Sequence, residues 1–383
     1  MSRKIAVVCG DVTAALNRRP ELMKLFVEIS EPDPLFVCPA AEEKHINAIE
    51  SIGFKCTVID NDKQSLNPLS SFQYYKKLFK LLKDSAPDDV FVFHMLPIIS
   101  ASRACRILGI RCHCLFAGLG YVFSNDKSFK RKVAGSLVKR VMRSCMKDVT
   151  TIFFQNPDDC QTFKQNRMVS GDTNVVVVNG SGVALDHFPQ CKPKVGEKVI
   201  FLLVARILRD KGIPEFYAAT KRLKKKWGDR VESQLLGPFD DNPNAMQRSQ
   251  IEEWDREGIV KYLGVTDDVR PYLREAHVFT LPSFYMEGTP KIILETLSTG
   301  RAIITADSRG CRETIDNGRN GYLVAPRDVD SLADAMEQFL EHPELIVEMG
   351  AASRAFAESR YDVHKVNAEM IESMGFAKTE AET

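Results

Sequence analysis

Thirteen short apolar runs alternate with helical patterns along this chain, and no other feature restricts its fold so tightly. Seven fall in the first half: 4–9 (KIAVVC), 34–39 (PLFVCP), 56–60 (CTVID), 89–95 (DVFVFHM), 111–116 (RCHCLF), 150–155 (TTIFFQ) and 174–179 (NVVVVN). Six follow: 199–205 (VIFLLVA), 231–236 (VESQLL), 259–263 (IVKYL), 277–281 (HVFTL), 301–306 (RAIITA) and 321–324 (GYLV). A strand that is apolar at consecutive positions is covered on both faces, the condition of a parallel sheet sandwiched by helices. Helical stretches are expected near 20–29, 41–52, 68–84, 98–109, 127–147 and 157–166. Others are expected near 212–227, 244–256, 267–275, 290–299 and 328–341, with the last 40 residues helical and polar. Strand and helix in turn mark a doubly wound α/β fold.

A chain of 383 residues exceeds what one hydrophobic core usually serves. The segment 184–197 (ALDHFPQCKPKVGE), with two prolines and no apolar periodicity, reads as the joint between two domains. The expected division is a first domain over 1–190 and a second over 191–360. Residues 361–383 are expected to form a helix that packs back toward the first domain, followed by a tail. Doubly wound domains lodge ligands at the carboxyl ends of their strands, so a cleft between two such ends is the expected site.

The formal net charge of +1 hides a split. Residues 1–190 carry 25 Lys and Arg against 19 Asp and Glu, and the remainder carries 27 against 32. The first half is therefore expected to meet something anionic. Ten cysteines without a CxxC pair, several inside apolar runs, read as buried reduced thiols rather than a disulfide framework. Cys112-His113-Cys114 lacks a second ligand pair and reads as strand, not as a metal site. The start MSRKIAVVCG runs straight into a strand, so no secretory signal is expected. No apolar run nears the roughly 20 residues that span a bilayer.

Chemistry gathers after two runs of the second half. Run 199–205 leads at once into Arg206-Ile-Leu-Arg209-Asp-Lys211-Gly212. Two cations on a loop leaving a strand can converge on one diphosphate, Arg206 as a planar fork of donors and Lys211 as a point charge. The bland alternative is a solvated loop. The second stretch is LPSFYMEGTPKIILETLSTGRAIITAD, residues 281–307. Ser283 ends a strand, and Glu287-Gly288-Thr289-Pro290 turns into a helix. Pro290 suits a first helical turn, Gly288 lets backbone approach a ligand, and free N–H groups at a helix start favour anionic oxygens. Glu295 stands two turns on, roughly 12 Å along the axis. Carboxylates accept hydrogen bonds from vicinal hydroxyls, so Glu295 fits a ribose and Glu287 a pyranose.

In order, AR-x4-KG, LPS-x3-EG-x6-E, TG-RAIITAD and RGCRETIDNGRNGYLV resemble the C-terminal domain of the retaining family 4 glycosyltransferases. The likeness is strong over 198–341 and looser over the whole length. Stretches QSLNPLSSF (64–72), GLGYVF (118–123), ARILRDKGIPEFY (205–217) and DDNP (240–243) look like the bacterial PglA-type subgroup. Those enzymes add N-acetylhexosamine to lipid-linked oligosaccharides. The resemblance implies a GT-B architecture of two Rossmann-like domains and retaining transfer of GalNAc or GlcNAc from a UDP-sugar. It implies a polyprenyl-diphosphate-linked sugar as acceptor. It makes Arg206 and Lys211 the diphosphate clamp, Glu295 the ribose holder, and Glu287 with Gly288, Thr289 and Pro290 the holder of the donor sugar. His94, ending run 89–95, would contact that sugar and join Arg206, Lys211 and Glu287 in catalysis. Gly10, Gly264, Val265 and Ser283 complete the implied donor set, and Gly118 and Gly120 fall to the acceptor. The loop Gly10 to Ala14 departs from the family's double-glycine turn, and Ala117 stands where members often carry an acid.

GT-B enzymes generally neutralise the leaving diphosphate with basic groups and helix dipoles, so Asp240-Asp241 is not read as a metal site and no cofactor is expected. Residues 126–148 concentrate the basic excess. There Lys130, Arg131, Lys132, Arg140 and Arg143 interleave with Phe129, Val133, Leu137 and Val141. A basic amphipathic helix suits an anionic membrane surface, the alternative being a solvated helix with one core-facing stripe. Nucleic acid is not expected, because these bases lack aromatic platforms. The expected place is cytoplasmic, peripheral on the inner membrane. A GDP-mannose-dependent mannosyltransferase and a catalytically silent nucleotide-sugar-binding subunit share the motifs and are the rival readings.

Overall fold

A computed structural model describes residues 3–60, 68–119, 138–285 and 288–377. Gly120, Lys130, Arg131, Lys132 and Glu287 lie outside the described residues, as does the expected basic helix before residue 138. Residues 138–145 of that stretch are helical. The chain divides into two compact units, Met1–Ser181 with His364–Thr383, and Gly182–Val363.

The first unit is built on β1 (Ile5–Val8), β2 (Leu35–Cys38), β3 (Lys55–Val58), β4 (Asp89–Phe93), β5 (Arg111–Phe116), β6 (Thr151–Phe154) and β7 (Asn174–Val177). All neighbours are parallel, in the order β3-β2-β1-β4-β5-β6-β7. Successive side chains of a strand point to opposite faces. Ala6, Val8, Val90, Val92 and Ile152 pack under helices Pro68–Ser85, Met95–Leu108, 138–145 and Pro157–Gln165. Ile5, Val7, Phe91 and Phe153 pack under Val12–Arg18, Pro20–Ile29, Glu43–Ile52 and Val363–Ser373. Both parities are buried, which is why these runs read apolar at consecutive positions. Cys112 and Cys114 share one face of β5 with sulfurs 3.8 Å apart, while His113 points to the other and bonds Asp89 at 2.9 Å. The three side chains do not converge on one point.

Helix Val12–Arg18 is absent from the sequence expectations. Seven residues give too few turns for a visible apolar period, although Asp11 is a legible N-cap and accepts from the Thr13 N–H at 3.2 Å. The C-terminal segment belongs to this unit by packing: Val366, Met370, Ile371 and Met374 are buried in its core. Thr151 and Asn174 side chains donate to the Ser373 carbonyl at 3.3 and 3.0 Å.

The second unit carries β8 (Val199–Val204), β9 (Val231–Leu236), β10 (Lys261–Tyr262), β11 (Val278–Leu281), β12 (Ala302–Ala306) and β13 (Gly321–Val324). They are parallel throughout, in the order β10-β9-β8-β11-β12-β13. Its boundary falls at Ser181–Gly182 rather than at 190. Val183 and Phe188 are buried in this unit's core, and Val183 exchanges backbone hydrogen bonds with Tyr361 and Val363 at 2.7 and 3.1 Å. Two prolines and a charged run hid the Phe188 anchor.

Arg301 is fully buried and has carbonyls as its partners. It donates to Leu273 at 2.7 Å, Arg274 at 2.8 Å and Gly300 at 3.1 Å, and also to Cys191. The oxygens of Leu273, Arg274 and Gly300 lie at the carboxyl ends of helices Arg270–Glu275 and Lys291–Thr299, where partial negative charge gathers. Lysine cannot fork to all of them. Arg301→Lys is expected to cost about 2 kcal/mol through the carbonyls it leaves unbonded, read as a lower urea midpoint. An unchanged midpoint would remove Arg301 as the tie between these helix ends.

Candidate active site

In each sheet the strand order reverses beside the first strand, between β1 and β4 and between β8 and β11. Diverging connections open a crevice there, at the carboxyl ends, and doubly wound folds use it for ligands. The expected donor residues of the second unit cluster around its crevice. Leaving β8, the loop from Arg206 to Lys211 turns at Gly212, whose φ of +77° favours glycine. A Cβ at Gly212 would lie 2.3 Å from the Pro282 carbonyl oxygen, so the absence of a side chain lets this loop close on the exit of β11. The Phe284 N–H donates to the Asp210 carbonyl at 2.9 Å. Buried Ser283 accepts at its carbonyl from the Ser308 hydroxyl at 2.6 Å. The exits of β8 and β11 are thus stapled together.

Arg206 forms an ion pair with Asp240 at 2.7 Å, and the other Asp240 oxygen accepts from the Asn242 N–H at 2.8 Å. The carboxylate is therefore a rigid arm that aims the guanidinium. Lys211 is 7% exposed, with its ammonium 5.0 Å above the Tyr285 ring. Tyr285 also acts electrostatically on the Arg206 guanidinium, so one tyrosine influences both cations. Burial pulls the Arg206 pKa down, but Asp240 and Tyr285 outweigh it and hold the group above its ordinary value. Sequence reasoning missed Tyr285 altogether and weighed Asp240 only as a metal ligand. Among the described residues no cluster of three His, Cys, Asp or Glu could hold a metal ion.

Gly264, with φ of +81°, follows β10, and its carbonyl accepts from the Gly237 N–H at 2.8 Å. Gly237 is a further site residue that sequence reading overlooked: a Cβ there would stand 1.9 Å from the Ala205 carbonyl oxygen, next to Arg206. Val265 is 63% exposed beside them. Past β11, Gly288, Thr289 and Pro290 are buried and lead into helix Lys291–Thr299, with Pro290 as its N-cap rather than in its first turn. Glu295 lies one turn into that helix among buried Ile293, Leu294 and Leu297. Its carboxylate is 14% exposed and 3.8 Å from the Lys291 ammonium. Burial pushes its pKa up to about 7, and Lys291 opposes that only in part.

At the crevice of the first sheet, the Gly10 N–H donates to His94 Nδ1 at 3.1 Å. An accepting Nδ1 leaves the proton of a neutral imidazole on Nε2, where it can be donated outward. His94 is exposed and holds a φ of +75°, a conformation that costs a non-glycine residue on the order of 1 kcal/mol or more. A Cβ on Gly10 would sit 3.2 Å from His94 Cβ, tighter than ordinary contact. Gly118, with φ of +111°, follows β5 in the same unit. Arg140 and Arg143 are elsewhere, exposed on helix 138–145, where Arg143 donates to the Asn166 carbonyl at 2.7 Å.

Residues 198–342 match the family described as glycosyl transferases group 1. Over 332 residues the chain is 27% identical to the N,N'-diacetylbacillosaminyl-diphospho-undecaprenol alpha-1,3-N-acetylgalactosaminyltransferase of Campylobacter jejuni, covering 82% of this chain and 83% of that one. It is 25% identical over 271 residues to the UDP-Gal:alpha-D-GlcNAc-diphosphoundecaprenol alpha-1,3-galactosyltransferase of Escherichia coli, covering 68% of each. The solved structure of Anabaena Alr3699/HepE in complex with UDP matches with a TM-score of 0.77 over 97% of this chain and 99% of that one, at 14% identity. A trehalose 6-phosphate synthase from Burkholderia multivorans matches with a TM-score of 0.75 over 98% of each. With two parallel Rossmann-like sheets and a group 1 domain over 198–342, the chain is a glycosyltransferase of GT-B fold, a hexosyltransferase.

Proposed function

We propose that this enzyme moves an N-acetylhexosamine, GalNAc or GlcNAc, from a UDP-sugar to a sugar carried on a polyprenyl diphosphate, with retention at the anomeric carbon and without a metal. The observation that carries this reading is the pair of cations at the exit of β8, aimed by Asp240 and Tyr285 at the switch point of the second sheet. As the glycosidic bond breaks, negative charge grows on the departing diphosphate, and fixed cations stabilise it more than the ground state. Backbone N–H groups at the start of helix Lys291–Thr299 add to that field. Glu295 takes the ribose hydroxyls, Glu287 those of the donor sugar, and the His94 Nε2–H donates to the same sugar. The identity to transferases named for diphospho-undecaprenol substrates supports the lipid-borne acceptor. Such an acceptor places the enzyme peripherally on the cytoplasmic face of the inner membrane. Among the described residues no helix is long and apolar enough to cross a membrane.

A donor panel tests the reading. UDP-GalNAc, UDP-GlcNAc, UDP-galactose and GDP-mannose are each incubated with a short-chain polyprenyl-diphosphate sugar. Mass spectrometry should show one added N-acetylhexosamine, and NMR should show an anomeric configuration like that of the donor. Transfer from GDP-mannose alone would replace the donor assignment, and no transfer from any donor would leave a silent binding subunit. Turnover should also survive excess EDTA. Loss with EDTA and rescue by Mg²⁺ or Mn²⁺ would give Asp240-Asp241 a metal-binding role.

A further inference from the structure

We propose that one helical face of the first unit docks on an anionic bilayer, through apolar side chains set among cations on three adjacent helices. The inference rests on the reading of the acceptor as lipid-borne and identifies the surface that meets the lipid.

The two covers of the first sheet differ in charge. On one, helices Pro68–Ser85, Met95–Leu108 and Pro157–Gln165 and residues 138–148 carry eleven Lys and Arg against four Asp. On the other, helices Val12–Arg18, Pro20–Ile29, Glu43–Ile52 and Val363–Ser373 carry four Lys and Arg against six Glu. A solvated cover needs no such bias. Nor are the apolar residues shared: Leu69 is 71% exposed, Phe72 54%, Ile107 59% and Val141 38%, all on the basic cover. Among the described residues the acidic cover exposes no comparably large apolar side chain.

The arrangement is ordered along helix Pro68–Ser85. Leu69, Phe72, Lys76, Lys80 and Lys83 are spaced by three or four residues and all exposed, so they form one stripe. Its start is apolar and the remainder cationic. The Lys76 ammonium lies 4.7 Å over the Phe72 ring, within reach of lipid phosphates if that ring enters the acyl boundary. Neighbouring helices continue the surface. Arg103 stacks 5.5 Å over Tyr75, and Arg106 pairs with Asp148 at 2.9 Å. An exposed phenylalanine among lysines costs solubility in water and is at home in a headgroup layer.

Co-sedimentation of the full chain with vesicles of phosphatidylcholine alone, or mixed equally with phosphatidylglycerol, tests this. The wild type should bind the anionic vesicles at least tenfold better and leave them as salt rises. Each basic residue near such a surface is worth roughly fivefold in partition before screening. The variant K76Q/K80Q/K83Q should therefore lose tenfold or more, while K24Q/K44Q/K365Q on the opposite cover should lose less than twofold. L69S/F72S should also bind more weakly but keep its salt dependence, and circular dichroism should show all variants folded. Equal losses from both lysine triples would mean that net charge alone acts, and would overturn the proposal. So would equal binding to both vesicle types, or an L69S/F72S variant that binds like the wild type. Turnover on a water-soluble diphosphate sugar separates the two readings, since face variants should retain it. Its absence in the wild type, with vesicle binding intact, counts against the acceptor assignment alone.

Discussion

Arg206→Ala and Lys211→Ala should each lower kcat by about 100-fold or more, with a smaller change in the affinity for UDP. Each removes a fixed positive group from the place where the diphosphate gathers charge, and losses of this kind reach two to three orders of magnitude. The ground-state sugar nucleotide is already anionic, so part of the effect appears in KM. The larger part belongs to the transition state, in which the bridging oxygen gains charge as the sugar departs. Arg206 and Lys211 share one target and one tyrosine, so the double variant should lose less than the product of the single losses. Asp240→Asn is a useful companion. It keeps the shape of the arm that holds Arg206 at 2.7 Å but weakens the pair, so kcat should fall by about tenfold rather than 100-fold. Steady-state kinetics with saturating acceptor measures all four. Near-wild-type turnover in either alanine variant would take the diphosphate clamp out of the mechanism.

The scaffold around that clamp was readable because burial on both faces of a parallel sheet leaves an unbroken apolar run, as in IAVV of β1 or DVFVF of β4. Each of the thirteen runs corresponds to a strand in the structure, with ends displaced by a residue or two. Arg206, Lys211 and Ser283 were placed beside the crevice for a related reason, since strand exits are where such sheets receive ligands. Glu295, one turn into a helix, was singled out instead by its spacing from Glu287. What escaped has a different physical character. Asp240 and Tyr285 act by aiming other side chains, and that depends on three-dimensional proximity rather than on a local pattern. Gly237 matters because a carbonyl oxygen of the neighbouring strand's exit occupies the space of its missing Cβ. Arg301 looked like a motif residue next to a glycine, yet it ties together carbonyls from sequence-distant segments. Phe188 anchors the second unit inside a stretch whose prolines suggested only a joint between domains, and Val183 anchors it just before that stretch.

Glu295→Gln should stabilise the second unit at pH 8 while weakening donor binding. In the wild type the carboxyl group is mostly buried, and its pKa is raised to about 7 by that burial, from 4.5 in an unfolded chain. Between these values the folded state holds a proton that the unfolded state has released. Stability contributed by the protonated form is fully present below pH 4.5, declines as pH rises through 7 and is gone above it. A shift of this size corresponds to about 3 kcal/mol. Glutamine is neutral throughout, so the variant should lack this slope and melt several degrees higher than the wild type at pH 8. At pH 5 the two should differ little. Donor affinity should move the opposite way. Ribose hydroxyls donate better to a carboxylate than to an amide, and a charge-assisted bond is worth roughly 1.5–3 kcal/mol, so UDP should bind the variant at least about tenfold more weakly at pH 8. Wild-type affinity should fall below pH 7, as the carboxylate takes up its proton, and the variant's should not. Differential scanning fluorimetry across pH 5 to 8, with and without UDP, reads both effects together. A variant that melts lower than the wild type at pH 8 would contradict the cost of the buried charge. Unchanged UDP affinity would instead move the ribose away from Glu295 and leave that carboxylate with a structural role.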